Sequence, residues 1–247
     1  STLEKDVYGN FWIGGSTPLG FIQIYNFNIG SVEVFDFGLT KITDIYIDSE
    51  NAYVAFIDGQ DVGIVKFVYS NDKWSYRDIY RNFPVAVDEI NGLEILQTTL
   101  SSEKNIFLAT NAGLFLGKIS TNLKDPNNWK RGFCCFDVGP IKAMTRYQDG
   151  LAFIYDEDDN DPAKVYYMYP SEESYSYEDL EIPIPIEFEE MIFDNDNDLV
   201  GIKNKILYSQ KNAFYPMIQQ VGLNSLARGL DQEIIIGSDI GLKLLQP

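Results

Sequence analysis

Asn10-Phe11-Trp12-Ile13-Gly14 is a short apolar segment bounded by turn-forming residues, and segments like it return along the chain. They read Ala52-Tyr53-Val54-Ala55-Phe56, Asn105-Ile106-Phe107-Leu108-Ala109, Gly150-Leu151-Ala152-Phe153-Ile154, Asp198-Leu199-Val200-Gly201-Ile202 and Glu233-Ile234-Ile235-Ile236-Gly237. Anchored on Trp12, Val54, Leu108, Phe153, Val200 and Ile235, the steps are 42, 54, 45, 47 and 35 residues. Runs this short, rich in β-branched and aromatic residues, read as buried strands rather than helices.

Working outward, each segment is followed by a turn and another apolar strand: Gly20 to Tyr25, Gly63 to Tyr69, Gly113 to Ile119, Lys164 to Tyr169, Lys205 to Ser209 and Gly241 to Leu245. Strands precede four of them, at Ile42 to Ile47, Leu93 to Thr99, Ile141 to Arg146 and Phe188 to Phe193. Trp74 to Tyr80 and Trp129 to Phe136 are the clearest fourth strands. The period is that of a four-stranded propeller blade. The expectation is an all-β, six-bladed β-propeller with four-stranded antiparallel blades. It is one domain over residues 1–247, with second strands near 10–14, 52–57, 105–110, 150–155, 198–202 and 233–237. The last blade stops after its third strand. Either Thr2 to Asp6 is its fourth strand or the ring is completed outside this chain; the first is the expectation.

Composition agrees with a β fold. The 247 residues are 45% hydrophobic and include 16 Tyr and 16 Phe. No long window shows helical periodicity with a capping signal. Formal net charge is −18, and the chain has no basic stripe, which argues against nucleic acid and against an anionic membrane surface. No apolar run approaches the roughly 20 residues that span a bilayer, and no signal peptide is visible. The localisation is left open. Cys134 and Cys135 are adjacent and are expected to be free thiols, one of them in the core. There is no histidine. That removes Ser-His-Asp and Cys-His nucleophile systems and imidazole metal sites.

Tyr8-Gly9-Asn10-Phe11-Trp12-Ile13-Gly14-Gly15 resembles the two-component-regulator propeller repeat, whose motif runs D-x-x-G-N-[LI]-W-I-G-T. Ala109 to Phe115 and Gly237 to Leu242 are similar to its following turn, G-T-x-x-G-L. The resemblance implies a propeller and leaves the function open, because such blades serve many roles. Ser70-Asn71-Asp72-Lys73-Trp74 is similar to a shortened Asp-box of sialidase-like propellers, without the box glycine. Sialidase chemistry would need three clamping arginines. Of Arg77, Arg81, Arg131, Arg146 and Arg228, only Arg146 and Arg228 fall on expected first strands, so no catalytic residues are carried over.

Two acidic runs invite a metal reading. Asp156-Glu157-Asp158-Asp159-Asn160-Asp161 lies between second and third strands, and Asp194 to Asp198 between first and second strands. Their oxygens alternate as Ca²⁺ prefers, with Asp156, Asp158 and Asp161 the candidate ligands. The plainer reading is turn chemistry. One face of the propeller would gather Asp58, Asp61, Arg81, Phe83, Asp156, Glu157, Asp158, Asp161 and Asp239, with Pro183-Ile184-Pro185-Ile186 beside them. This is the candidate partner or ligand face. Trp12, Trp74 and Trp129 suit blade packing better than sugar stacking.

The leading expectation is a non-enzymatic binding scaffold that engages a protein partner or larger assembly, a virion or tail-associated component being one form. It would need no cofactor, with Ca²⁺ the one candidate. A ligand-sensing or glycan-binding propeller is the alternative, marked by aromatic side chains beside carboxylates. A carboxylate glycoside hydrolase is the third reading.

Overall fold

The computed structural model describes residues 2–15, 20–26, 29–39, 41–59, 61–98, 102–132, 135–137, 139–156, 163–172, 174–182, 188–194, 196–214, 216–219, 223–228, 234–238 and 241–245. The chain runs through six antiparallel sheets. The first holds β1 (Thr2–Lys5), β2 (Asn10–Gly14), β3 (Gly20–Asn26) and β4 (Ser31–Leu39). The second holds β5 (Lys41–Ile47), β6 (Asn51–Asp58), β7 (Asp61–Ser70) and β8 (Lys73–Tyr80). The third holds β9 (Ile90–Gln97), β10 (Lys104–Thr110), β11 (Gly113–Lys118) and β12 (Trp129–Arg131). The fourth holds β13 (Ile141–Tyr147), β14 (Gly150–Tyr155), β15 (Lys164–Pro170) and β16 (Tyr175–Asp179). The fifth holds β17 (Glu190–Phe193), β18 (Leu199–Lys203), β19 (Ile206–Ser209) and β20 (Pro216–Gln219). The last, among the described residues, holds β21 (Leu223–Arg228), β22 (Ile234–Ser238) and β23 (Gly241–Leu245).

The protein is an all-β propeller with four-stranded antiparallel blades. Five sheets are complete blades, and the expectation of a sixth four-stranded blade is not met among the described residues. Thr2 to Asp6 does not supply the missing strand. Thr2–Lys5 is β1, paired with β2 from Thr2↔Gly14 to Lys5↔Phe11, as the first strand of its own sheet. The apolar alternation explains the choice: it sets Leu3 against Ile13, and both pack with Ala227 and Ile235. Short 3₁₀ turns at Pro126–Asn128 and Gln210–Asn212 are the helical pieces among the described residues. No helix there is long and apolar enough to cross a membrane.

The chain forms two compact units. Ser1–Arg81 with Val221–Pro247 makes one, and Asn82–Gln220 the other. In the first, Trp12, Ile22, Ile42, Val54, Phe67 and Trp74 form the core between the first two sheets. In the second, Phe107, Leu114, Phe136, Leu151, Phe153 and Met168 fill the space between the third and fourth sheets. Ala143, Ile154, Val165, Phe188, Met191 and Phe193 do so between the fourth and fifth. Middle strands are covered on both faces, so β10 and β14 are buried almost end to end and read as unbroken apolar runs. The outer strand β8 is buried only at Trp74 and Tyr80 and is partly or fully open to water at its other positions. Each buried Val, Leu, Ile or Phe contributes about 1.5–3 kcal/mol. Gly201 leaves room for the ring of Phe188, which leads into β17 of the same sheet: a Cβ there would lie 2.3 Å from that ring.

Candidate functional site

The turn from β13 to β14 is a two-residue hairpin, Gln148-Asp149, closed by the Tyr147↔Gly150 pair. Gln148 takes a left-handed φ of 49°. Gly150 allows the turn to lie against β15, since a Cβ there would fall 2.0 Å from the Met168 carbonyl oxygen and 2.9 Å from the Tyr167 ring. The turn therefore brings Asp149 to Tyr167, whose phenol donates to the Asp149 carboxylate. Tyr147 meets Tyr167 edge-on at 5.0 Å between centroids, and Tyr169 lies 5.1 Å from Tyr167. Tyr147 is fixed from behind by Phe193 at 4.2 Å.

Tyr167 is 7% exposed, while Asp149 is exposed and Tyr147 and Tyr169 are half-buried. Burial, followed by the Asp149 hydrogen bond and the nearby charges of Asp149 and Glu178, pushes the Tyr167 phenol far above its usual range. It stays a donor across the physiological range. One Asp149 oxygen is committed to that phenol, and the exposed carboxylate keeps lone pairs for a ligand. A positioned carboxylate beside aromatic rings can accept from hydroxyl or ammonium groups and can act as a base. Sequence reading missed this group. Its residues look like ordinary strand alternation, and only the β14–β15 pairing brings the turn onto Tyr167.

The residues singled out from sequence are placed differently. Arg81 Nη1 lies 3.0 Å from Asp58 Oδ2 and 3.8 Å from Asp61 Oδ2, and the guanidinium sits 4.9 Å over the Phe56 ring. These three form a matched ion group. Phe83 packs down on Trp129 at 5.2 Å and Phe115 at 6.0 Å. Asp156 is matched by the Lys142 ammonium at 3.5 Å. Glu157, Asp158, Asp161, Asp239 and Pro183 to Ile186 lie outside the described residues, as does Cys134. Cys135 is a free, exposed thiol, its Sγ 3.1 Å from the Tyr177 hydroxyl. Arg146 Nη1 donates to the Ile95 carbonyl at 2.9 Å, tying β13 to β9. Trp12, Trp74 and Trp129 are buried, at 0%, 4% and 4% exposure, in packing roles.

The second acidic run does converge. Carboxylate oxygens of Asp194, Asp196 and Asp198 lie within 4.8 Å of one another. Lys211 Nζ sits among them, 2.6 Å from Asp196, 3.0 Å from Asp194 and 3.7 Å from Asp198. Hydrogen bonds to Asp196 and Asp194 raise the Lys211 pKa. Partial burial opposes the Asp194 charge, but the backbone N–H groups of Asp198 and Asp196 and the Lys211 ammonium outweigh it and hold the carboxyl below its usual range. The chain's own cation matches this cluster.

No protein-family model matches the chain, and no curated protein does. Solved structures do. An oxidoreductase described as a glucose dehydrogenase, from Thermus thermophilus, superposes with a TM-score of 0.59 at 10% identity, over 99% of this chain and 96% of that one. The PQQ-bound aldose sugar dehydrogenase of Streptomyces coelicolor gives 0.56 at 11% identity, over 95% and 86%. Streptogramin B lyase gives 0.54 at 10%, over 99% and 93%.

This chain shares their propeller fold.

The comparisons correct the expectation of a non-enzymatic scaffold, with its virion or tail-associated form. Propellers that match nearly the whole chain include two named as dehydrogenases and one named as a lyase, so the fold is no sign of a passive platform. At such identities the likeness is one of fold, and each neighbour's substrate remains its own.

Proposed function

We propose that this propeller is an enzyme acting on a small polyhydroxylated molecule of carbohydrate type, with Asp149 as its carboxylate base. The observation that carries the reading is the exposed Asp149 carboxylate, held by the buried Tyr167 phenol and flanked by Tyr147 and Tyr169. Ring faces stack on the C–H face of a sugar, and the carboxylate accepts from its hydroxyls. With no histidine in the chain, a carboxylate is the natural group to take a hydroxyl proton near neutral pH. Two of the fold neighbours are sugar dehydrogenases by name, which supports the substrate class. Counting the three-stranded sheet as a blade gives six in all, and the regulator-repeat and Asp-box resemblances belong to this same reading as likenesses of blade sequence.

The test is a panel of neutral monosaccharides read by saturation-transfer NMR and thermal shift, followed by turnover assays on those that bind. Asp149→Asn should abolish turnover, and Tyr147→Ala should weaken binding about tenfold. Tyr167→Phe frees the carboxylate and should lower kcat more than it raises KM. Absence of saturable binding by every sugar, or an Asp149→Asn protein that turns over normally, overturns the reading.

A further inference from the structure

We propose that the molecule taken at the Asp149 site carries an ammonium group beside its hydroxyls, and that Glu178 is the residue that recognises it. The inference rests on the reading of Asp149 and its tyrosines as a substrate site, and it narrows the substrate to an amino-bearing one.

Glu178 comes to this site through strand register. β15 pairs with β16 so that Tyr167 stands opposite Glu178 and Tyr169 opposite Ser176. Directly paired residues share a face, with Cβ atoms about 4.5–5.5 Å apart. Glu178 therefore lies on the face that carries Tyr167, and it is exposed. Tyr167 thus has an acid at each end, Glu178 opposite its backbone and Asp149 at its hydroxyl.

Neither acid has a cation of the chain's own. Every lysine and arginine between Asn82 and Gln220 is among the described residues, and none there forms an ion pair with Asp149 or Glu178. Behind burial, the neighbours that raise the Tyr167 pKa are Asp149, Tyr147 and Glu178, with no cation among them. Other carboxylates of the same unit are treated differently. Asp179, next in sequence and on the opposite face of β16, meets Lys164 at 3.8 Å. Asp194 and Asp196 share Lys211, at 3.0 and 2.6 Å. At Asp149 and Glu178 the positive charge is left to the ligand. A phosphorylated or carboxylated sugar would meet only like charge there.

The rings point to the same ligand. Tyr147 and Tyr169 are half-buried and pack on Tyr167 at 5.0 and 5.1 Å. The face of a tyrosine attracts an ammonium as well as the C–H face of a sugar. Lys66 sits over Tyr53 and Arg81 over Phe56 in this way, whereas among the described residues no lysine or arginine lies over Tyr147, Tyr167 or Tyr169. With Glu178 on the ammonium, Asp149 keeps its free lone pairs for a hydroxyl.

The experiment is calorimetric titration of the full chain with D-glucosamine, D-glucose and N-acetyl-D-glucosamine at about pH 6.5, below the range in which an amine loses its charge. N-acetylation keeps the nitrogen and removes its charge. Glucosamine is expected to bind at least about tenfold tighter than either neutral sugar in about 50 mM NaCl, with a smaller advantage in about 500 mM. Glu178→Gln should bring the ratio of glucosamine to glucose affinity below about threefold. Glu33→Gln, at an exposed acid of the other compact unit, should leave that ratio within about twofold of the parent's. This control separates local pairing from the general pull of a net charge of −18. Glucose bound as tightly as glucosamine, or a preference that survives Glu178→Gln, overturns the inference and leaves Asp149 as a site for neutral sugars. Binding by none of the three overturns the reading of the site and this inference with it.

Discussion

The indole Nε1 of Trp74 donates to a carboxylate oxygen of Asp6 at 2.9 Å, across 68 residues of sequence. The same oxygen accepts from Trp12 Nε1 at 3.3 Å and from Asn10 Nδ2 at 2.8 Å. The other takes the backbone N–H groups of Tyr8 and Asn10, at 3.0 and 2.8 Å. Asp6 is 1% exposed and thus exchanges water for five donors. An amide in its place would turn one acceptor into a donor facing the indoles. Asp6→Asn is expected to cost about 2–4 kcal/mol, seen as a lower urea midpoint at unchanged slope.

Asn105 Nδ2 donates to the Tyr175 hydroxyl at 2.8 Å in a buried contact between the third and fourth sheets. Burial comes first among the causes that hold the Tyr175 phenol protonated. Tyr175→Phe keeps the ring stacked edge-on to Phe107 and strands the amide. The expected loss is about 1–3 kcal/mol by chemical denaturation, and Asn105→Ala made together with it should cost less than the two losses added.

Gly150 is a position where volume rather than backbone freedom decides. Its Cβ would strike the Met168 carbonyl, which is backbone and has little room to give. Gly150→Ala is expected to cost about 1–3 kcal/mol and to displace Asp149 from Tyr167. Thermal melting reads the first effect, and loss of sugar binding the second.

The Lys211 cluster predicts a flat pH response with two edges. The Lys211 pKa is raised, so its contribution is complete below about 10.4 and fades as pH climbs through the higher folded value. The Asp194 pKa is lowered, so its contribution is present above about 3.9 and fades as pH falls through the lower folded value. Lys211→Gln leaves three carboxylates facing one another. That variant should melt lower than the parent, and about 5 mM CaCl₂ should restore it while leaving the parent's melting temperature within about a degree.

How much could be read in advance follows from distance along the chain. The second strands are local: Phe107 and Phe153 sit in short apolar runs, and the runs alone announce a buried strand. The acidic turn at Asp194 is equally visible, but the lysine that fills it comes 13 residues beyond Asp198, after two further strands. Asp149 and Tyr167 escaped notice because neither belongs to a motif, and their meeting depends on where β15 returns. Phe83 lies in a long connection that reads as a contact loop, and its two aromatic partners, Phe115 and Trp129, are remote in sequence. The assignment of Thr2 to Asp6 failed because strand pairing is a contest between sheets, and the adjacent β2 offered Leu3 a closer match.

Trp12 and Trp74, 5.0 Å apart and nearly perpendicular, belong to one compact unit, and Trp129 to the other. That distribution makes the protein its own two-colour thermometer once a single ring is changed. In a Trp129→Phe chain the emission comes from the Ser1–Arg81 unit alone, whereas the parent reports both. Superposed melting curves would mean the two halves come apart together. A separation between them would mean that one half dissolves while the other still holds.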